Sequence, residues 1–168
     1  MLRWISFPIW GSGDNAGFLT KDEGALGMKV KLGVILDAIE MADDNYTYFL
    51  DLETGESVFL ADELITGMDN EGLADEIEEN PERYLRLPTK FEIHEYHIME
   101  EFIWTLKGEK ADKLECAIRG RGAFRRFKDM VNRIGISQQW YDFQAEYYRK
   151  LAIDWCREQG LEYEEGSM

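Results

Sequence analysis

The spacing of apolar residues changes period along this chain, and the changes mark its elements. Leu32, Ile35, Leu36 and Ile39 recur at helical spacing and predict a short helix over 31–41. The period then becomes that of a strand. Tyr46 to Asp51 and Ser57 to Leu60 are rich in aromatic and branched residues, and Thr54-Gly55 lies between them. This pattern predicts a β-hairpin over about 46–60. Residues 62–83 are strongly acidic and predict a frayed helix or a loop. Arg83 to Leu87, between Pro81 and Pro88, predicts one more short strand.

From Thr89 onward the chain reads as helical. Thr89 with Glu92 three residues later forms a capping box, and the helix it starts runs to about Leu106, with Gly108 as its stop. A second helix is predicted over about 109–118. A third runs from Ala123 to Ile134 after the tight Gly120-Arg121-Gly122 loop. Ser137 caps a fourth, which ends near Glu158 and Gly160. The fold class is therefore α+β: a short N-terminal helix and a small antiparallel sheet, followed by a bundle of about four helices. Residues 28–168 are expected to form one domain, with an acidic helix and hairpin half (28–88) and a helical half (89–160). Residues 1–27 read differently. Trp4, Ile5, Phe7, Ile9 and Trp10 are apolar, and Gly11-Ser12-Gly13 breaks the run. The run is too short for a secretory leader. Met28-Lys29-Val30 resembles a protein start, so 1–27 is read as an extension from an upstream start codon or an artificial addition. The alternative is an arm that docks its tryptophans on the body or on a partner.

Composition narrows the classes. The chain has 168 residues, 45% of them hydrophobic, which excludes a wholly disordered protein. No apolar run reaches the ~20 residues that span a bilayer, and no membrane association is expected. Two cysteines, Cys116 and Cys156, give neither a disulfide framework nor a paired metal knuckle, and a reducing cytoplasm is the simplest setting. The net charge of −15 argues against generic binding to nucleic acid. That charge is unevenly spread. Residues 29–82 carry 16 acidic and 2 basic groups, whereas residues 113–137 carry 7 basic and 2 acidic. Nucleic acid is thus an expected partner only through the basic island at 113–133.

The island is the first candidate site. Arg121-Gly122-Ala123-Phe124-Arg125-Arg126-Phe127 superficially looks like the RNA-recognition strand motif. Yet Phe124, Phe127, Val131 and Ile134 recur at helical spacing, which points the aromatics to a core and excludes base stacking on a strand. What remains is a glycine-flanked helix N-terminus. Free backbone N–H groups, the helix dipole and the guanidinium forks of Arg119, Arg121, Arg125 and Arg126, with Gly120 and Gly122 between them, favour an anion. The alternative is that these arginines pair with the chain's own surplus carboxylates.

Two carboxylates fall on apolar faces. Glu95 lies within the stripe Phe91, Ile98, Met99, Phe102 and Leu106. Asp154 lies at the edge of Trp140, Phe143, Tyr147, Leu151 and Trp155. Buried carboxylates need partners. Glu95 and Asp154 are therefore expected to form a buried polar network with Arg119, Arg121, Arg125 or Arg126. His94, His97 and Glu101, at i, i+3 and i+7 of one helix, are a third candidate, for zinc or iron. The set is incomplete, since the chain has 2 histidines and no H-E-x-x-H motif. No P-loop, dinucleotide fingerprint or nucleophile-elbow serine is present, Asp69-Asn70-Glu71-Gly72 lacks the EF-hand alternation, and no cofactor is expected.

Several segments together resemble a known family. They are Tyr48-Phe49-Leu50-Asp51-Leu52-Glu53-Thr54-Gly55-Glu56, Glu79-Asn80-Pro81-Glu82-Arg83-Tyr84, Phe91-Glu92-Ile93-His94-Glu95-Tyr96, Gly120 to Asp129, Trp140-Tyr141 and Ile153-Asp154-Trp155. Over about residues 28–160 the chain is similar to a bacterial uncharacterised protein family, number 158 of the UPF series. The resemblance implies a small cytoplasmic bacterial protein and brings no catalytic residue or cofactor. The leading functional expectation is a non-enzymatic binding or regulatory module. Its arginine-rich helix N-terminus would hold an anionic group on a protein or other ligand. The alternatives are an enzyme with a Glu/Arg/His pocket, including metal-assisted hydrolysis, and an acidic decoy for a basic partner.

Overall fold

The computed structural model describes residues 29–166. The extension read at 1–27 lies outside the described residues. Strand β1 (Val30–Lys31) leads directly into helix α1 (Leu32–Glu40), which buries Leu32, Ile35, Ala38 and Ile39. The hairpin forms as its pattern predicts, from β2 (Tyr46–Asp51) and β3 (Ser57–Ala61). The third strand, β4 (Tyr84–Arg86), pairs antiparallel with the other edge of β2, placing Leu50 opposite Leu85. The sheet order is β3-β2-β4. The acidic stretch between them resolves into two short helices, α2 (Glu63–Thr66) and α3 (Glu71–Glu79).

The predicted helix over 89–106 is broken. The capping box is present, with the Thr89 and Glu92 side chains each reaching the other's backbone N–H, but helix α4 covers only Lys90–Ile93. His94 then adopts a left-handed conformation, φ 56°, before α5 (Glu95–Thr105) begins. Arg86 at the end of β4 grips Glu92 through two hydrogen bonds of 2.8 and 2.7 Å. That grip orients α4 toward the sheet, and the chain must turn at His94 to send α5 into the bundle. The break changes the phase of the apolar stripe. Phe91, predicted on the buried face, is 82% exposed, whereas Ile98, Met99 and Phe102 are buried as expected.

Helices α6 (Glu109–Ala117), α7 (Ala123–Arg133) and α8 (Ser137–Glu158) complete the bundle. Ser137 does not cap α8; it is the first helical residue, and its hydroxyl donates to the Asn132 amide oxygen instead. Phe127 and Trp140 meet edge to face at 4.7 Å between ring centroids, and Phe102 packs on both. This cluster joins α5, α7 and α8. Helix α1 packs on α8, so the N-terminal half contributes to the same hydrophobic cluster, which runs from Val30 to Cys156. A two-residue parallel pair, β1 with β5 (Tyr163–Glu164), ties the C-terminal end back to Val30. It was too short to leave a period in the sequence. Among the described residues no helix is long and apolar enough to cross a membrane.

Candidate functional site: the arginine turn

Helices α6 and α7 form a helical hairpin, and the arginine island lies at its turn. Gly120 and Gly122 take φ values of 77° and 74°, which a side chain at Cβ disfavours, so the tight reversal depends on glycine. Arg126 does not reach outward for an anion. Its Nε donates to the Ala117 carbonyl at 2.9 Å, and its Nη2 donates to the Arg119 and Gly120 carbonyls at 2.5 and 3.3 Å. Its Nη1 donates to the Arg121 carbonyl. One guanidinium therefore satisfies the free carbonyls at the end of α6 and around the turn, groups that helix geometry leaves without intrahelical partners. The expectation that Arg126 binds an external anion is corrected on this ground.

Arg119, Arg121 and Arg125 behave differently. All three are exposed, and among the described residues none has a hydrogen bond or ion pair through its side chain. No acidic residue occupies the first turn of α7. The turn thus presents three uncompensated guanidinium groups on a backbone that Arg126 fixes, at the positive end of an 11-residue helix. Phe127 and Val131 are buried, and Phe124 is partly buried with Lys128 Nζ 4.5 Å from its ring centroid. The aromatics of this segment are on a helix, not on an RNA-binding strand.

The predicted buried network does not form. Asp154 is exposed and pairs with Arg157, one helical turn away, at 2.6 Å. The buried face of α8 is centred on Trp140, Tyr148, Ala152, Trp155 and Cys156, which leaves Asp154 on the solvent side. Glu95 is half-buried in the first turn of α5, and it meets none of the island arginines. Its charge acts on Tyr148 of α8 instead. Burial first, and then Glu95, push that phenol up to about 12. The break at His94 is the reason: Glu95 starts a new helix rather than continuing the stripe of the old one.

The two histidines stay near each other across the helix break. His94 is exposed at the break, with its ring centroid 6.4 Å from that of His97. His97 Nε2 is 3.1 Å from Glu101 and its Nδ1 is 3.7 Å from Glu100. Both ring nitrogens thus face carboxylates of the same helix. Among the described residues no group of three His, Cys, Asp or Glu side chains could hold a metal ion.

Two open grooves flank the island. One, of about 240 Å³, is lined by Tyr96, Glu100, Ile103, Trp104, Glu115, Ile118 and Arg119. The other, of about 560 Å³, lies between α6 and α7 and is lined by Glu109, Lys110, Lys113, Met130, Arg133 and Ile134. Neither was anticipated. Trp104 carried the signal for the first: a tryptophan beside the buried Phe102 and Ile103 but off their face, 71% exposed.

The strongest polar cluster lies elsewhere and is structural. Asp51, at the end of β2, is buried and receives both forks of Arg83, Nε at 2.8 Å and Nη2 at 2.7 Å. The Glu53 backbone N–H adds a third hydrogen bond, and the Arg83 guanidinium holds the Asp51 carboxyl far below the usual carboxylate range. Arg83 also pairs with Glu53 and Glu76, and the Tyr84 hydroxyl donates to Glu76 at 2.8 Å. The network fixes α3 and β4 on the hairpin.

Two of the segments that carried the family resemblance, 48–56 and 79–84, meet in this network. No curated protein and no solved structure matches the chain significantly. The family model for the uncharacterised protein family UPF0158 matches residues 27–165, and the chain belongs to that family.

Proposed function

We propose that the protein is a cytoplasmic, non-enzymatic binding module whose arginine turn holds an anionic group on a protein partner. The observation that carries this reading is the state of Arg119, Arg121 and Arg125. In a chain with 34 acidic residues, pairing within the chain is the easy outcome, and these three stay unpaired and exposed. Ordering long side chains costs entropy, but here the backbone that carries them is already fixed by Arg126. Guanidinium forks on a rigid turn suit carboxylate or phosphate recognition. The −15 net charge disfavours an extended polyanion such as nucleic acid and favours a local acidic group on a protein. The cytoplasmic setting rests on two free cysteines.

The test is capture of partners from native cells by wild type and by an Arg121→Ala, Arg125→Ala double mutant, at rising salt. The expected result is a partner that is lost in the double mutant and released as ionic strength increases. Equal capture by both proteins would overturn the reading.

A further inference from the structure

Strand β3 is an outer strand of the three-stranded sheet, and its hydrogen bonding shows which of its backbone groups face outward. The Asp51 N–H donates to the Glu56 carbonyl at 3.0 Å, and the Asp62 N–H donates to the Asn45 carbonyl at 2.7 Å. Bonded and unbonded pairs alternate along an antiparallel ladder. Glu56, Val58, Leu60 and Asp62 therefore turn their backbone groups to β2, and Ser57, Phe59 and Ala61 turn theirs away from it. A side chain already occupies one end of this edge. The Asn70 carboxamide donates to the Ala61 carbonyl at 2.7 Å and accepts from the Ala61 N–H at 3.3 Å. The backbone of a neighbouring strand would make the same pair of bonds. The outward N–H and C=O groups of Phe59 and Ser57 have no such cover. Among the described residues no hydrogen bond reaches them.

The surroundings of this edge are apolar and acidic. Phe59 is 40% exposed, and the segment that leads from Ala61 to Asn70 leaves Leu64 98%, Ile65 67% and Met68 45% exposed. From Leu52 to Asn70 the chain has Glu53, Glu56, Asp62, Glu63 and Asp69 and no lysine or arginine. Glu56 at one end of the edge and Glu63 beyond the other are exposed and pair with no cation among the described residues. Asp62 caps α2 through the Leu64 N–H at 3.0 Å, a bond that leaves its charge in place.

We infer that the β3 edge takes up an extended, basic segment of a partner protein as a further strand. The main chain of that segment exchanges hydrogen bonds with Phe59 and Ser57, and Asn70 sets where the added strand stops. Side chains of a strand alternate between its two faces, so alternating basic and apolar residues suit an edge bordered by carboxylates and exposed apolar surface. Charge decides between occupants. Pairing the edges of two copies would bring together two segments of net −14, whereas a basic segment is attracted. This surface belongs to the N-terminal half and does not depend on the reading of the arginine turn.

The probe is a capped peptide of alternating lysine and valine, added to the full chain at about 0.1 M salt. One control is the same peptide N-methylated at every residue, which keeps the charge and loses the N–H donors. The other is its glutamate–valine counterpart. The lysine–valine peptide should bind and slow exchange of the Phe59 amide by about ten-fold or more, and both controls should bind about ten-fold or more weakly. Ser57→Pro removes one outward donor at the first residue of the strand, where proline is tolerated, and should weaken binding about five-fold. A thermal melt checks that this variant folds; if it does not, the comparison of the two lysine peptides on wild type decides. Absence of binding by the lysine–valine peptide overturns the inference. Equal binding of the N-methylated peptide also overturns it, since charge alone would then suffice, as does unchanged exchange at Phe59. Protection of the Phe59 amide that rises with the concentration of the chain alone would assign the edge to a second copy and overturn it as well.

Discussion

The Arg83 guanidinium closes on the Asp51 carboxylate with two parallel hydrogen bonds of 2.8 and 2.7 Å, across 32 residues of sequence. This pair joins the end of the hairpin to the strand that follows the acidic helices. Replacing Asp51 by asparagine removes the charge and part of the fork. It should cost about 1.5–3 kcal/mol, the range for hydrogen bonds to charged groups. The native carboxyl titrates well below the unfolded value of about 3.9. The stability it contributes is thus complete above about pH 5 and is lost as pH falls toward its depressed native value. Urea melts from pH 7 down to pH 2 should show wild type losing the advantage that Asp51→Asn lacks throughout. A constant gap between the two proteins across that range would contradict the role of the pair.

Arg126 and Arg125 are adjacent and should respond in opposite ways. Arg126→Ala leaves the carbonyls of Ala117, Arg119, Gly120 and Arg121 without their donor. A loss of about 1–2 kcal/mol is expected because the site is exposed and water replaces part of the interaction. Arg125→Ala should shift stability by less than about 0.5 kcal/mol. Amide exchange through 117–122 distinguishes them further, with faster exchange in the Arg126 variant alone.

His94 is the non-glycine residue with positive φ among the described residues. A left-handed conformation costs an L-residue roughly 1–2 kcal/mol, and glycine is free of that cost but raises the unfolded-state entropy by about 0.4–1 kcal/mol. His94→Gly should therefore be neutral or stabilising by up to about 1.6 kcal/mol. His94→Val should destabilise. A continuous helix through residue 94 would give the reverse order, so thermal melts of the two variants decide whether the break exists.

The two thiols differ in chemistry. Burial pushes the Cys156 thiol up to about 11 and removes it from solvent, whereas Cys116 is exposed on α6. The thiolate is the reactive form. One thiol per chain should react rapidly with a disulfide reagent in the native protein at neutral pH, and two should react in denaturant. Rapid native reaction of both would show that Cys156 is reached by local opening.

Much of the fold was legible because it is local. The hairpin needed only two runs of aromatic and branched residues and the Thr54-Gly55 turn, and α7 needed only the spacing of Phe124, Phe127, Val131 and Ile134. The third strand was legible from its bounding prolines. The site was less so. The sequence located the arginine turn but could not divide its arginines by role, since Arg125 and Arg126 have the same chemistry and adjacent places. Which one faces the α6 carbonyls depends on how α6 meets α7. The Glu95 and Asp154 network failed for a related reason. It extended one helical phase through His94, and it placed Asp154 from a face whose true centre is set by packing on α1 and α5.

The sequence by itself determined α1, the hairpin and the helices after Gly108, the glycine turn and the separation of a −14 segment from a +5 segment, because these depend on residues near one another in the chain. The tertiary structure alone decided that Asp51 meets Arg83, that the helix breaks at His94 and that Arg119, Arg121 and Arg125 remain unpaired. Those outcomes depend on which surfaces come together once the core closes, and the free energy of an ion pair or a turn is fixed by burial and geometry that a linear pattern does not contain.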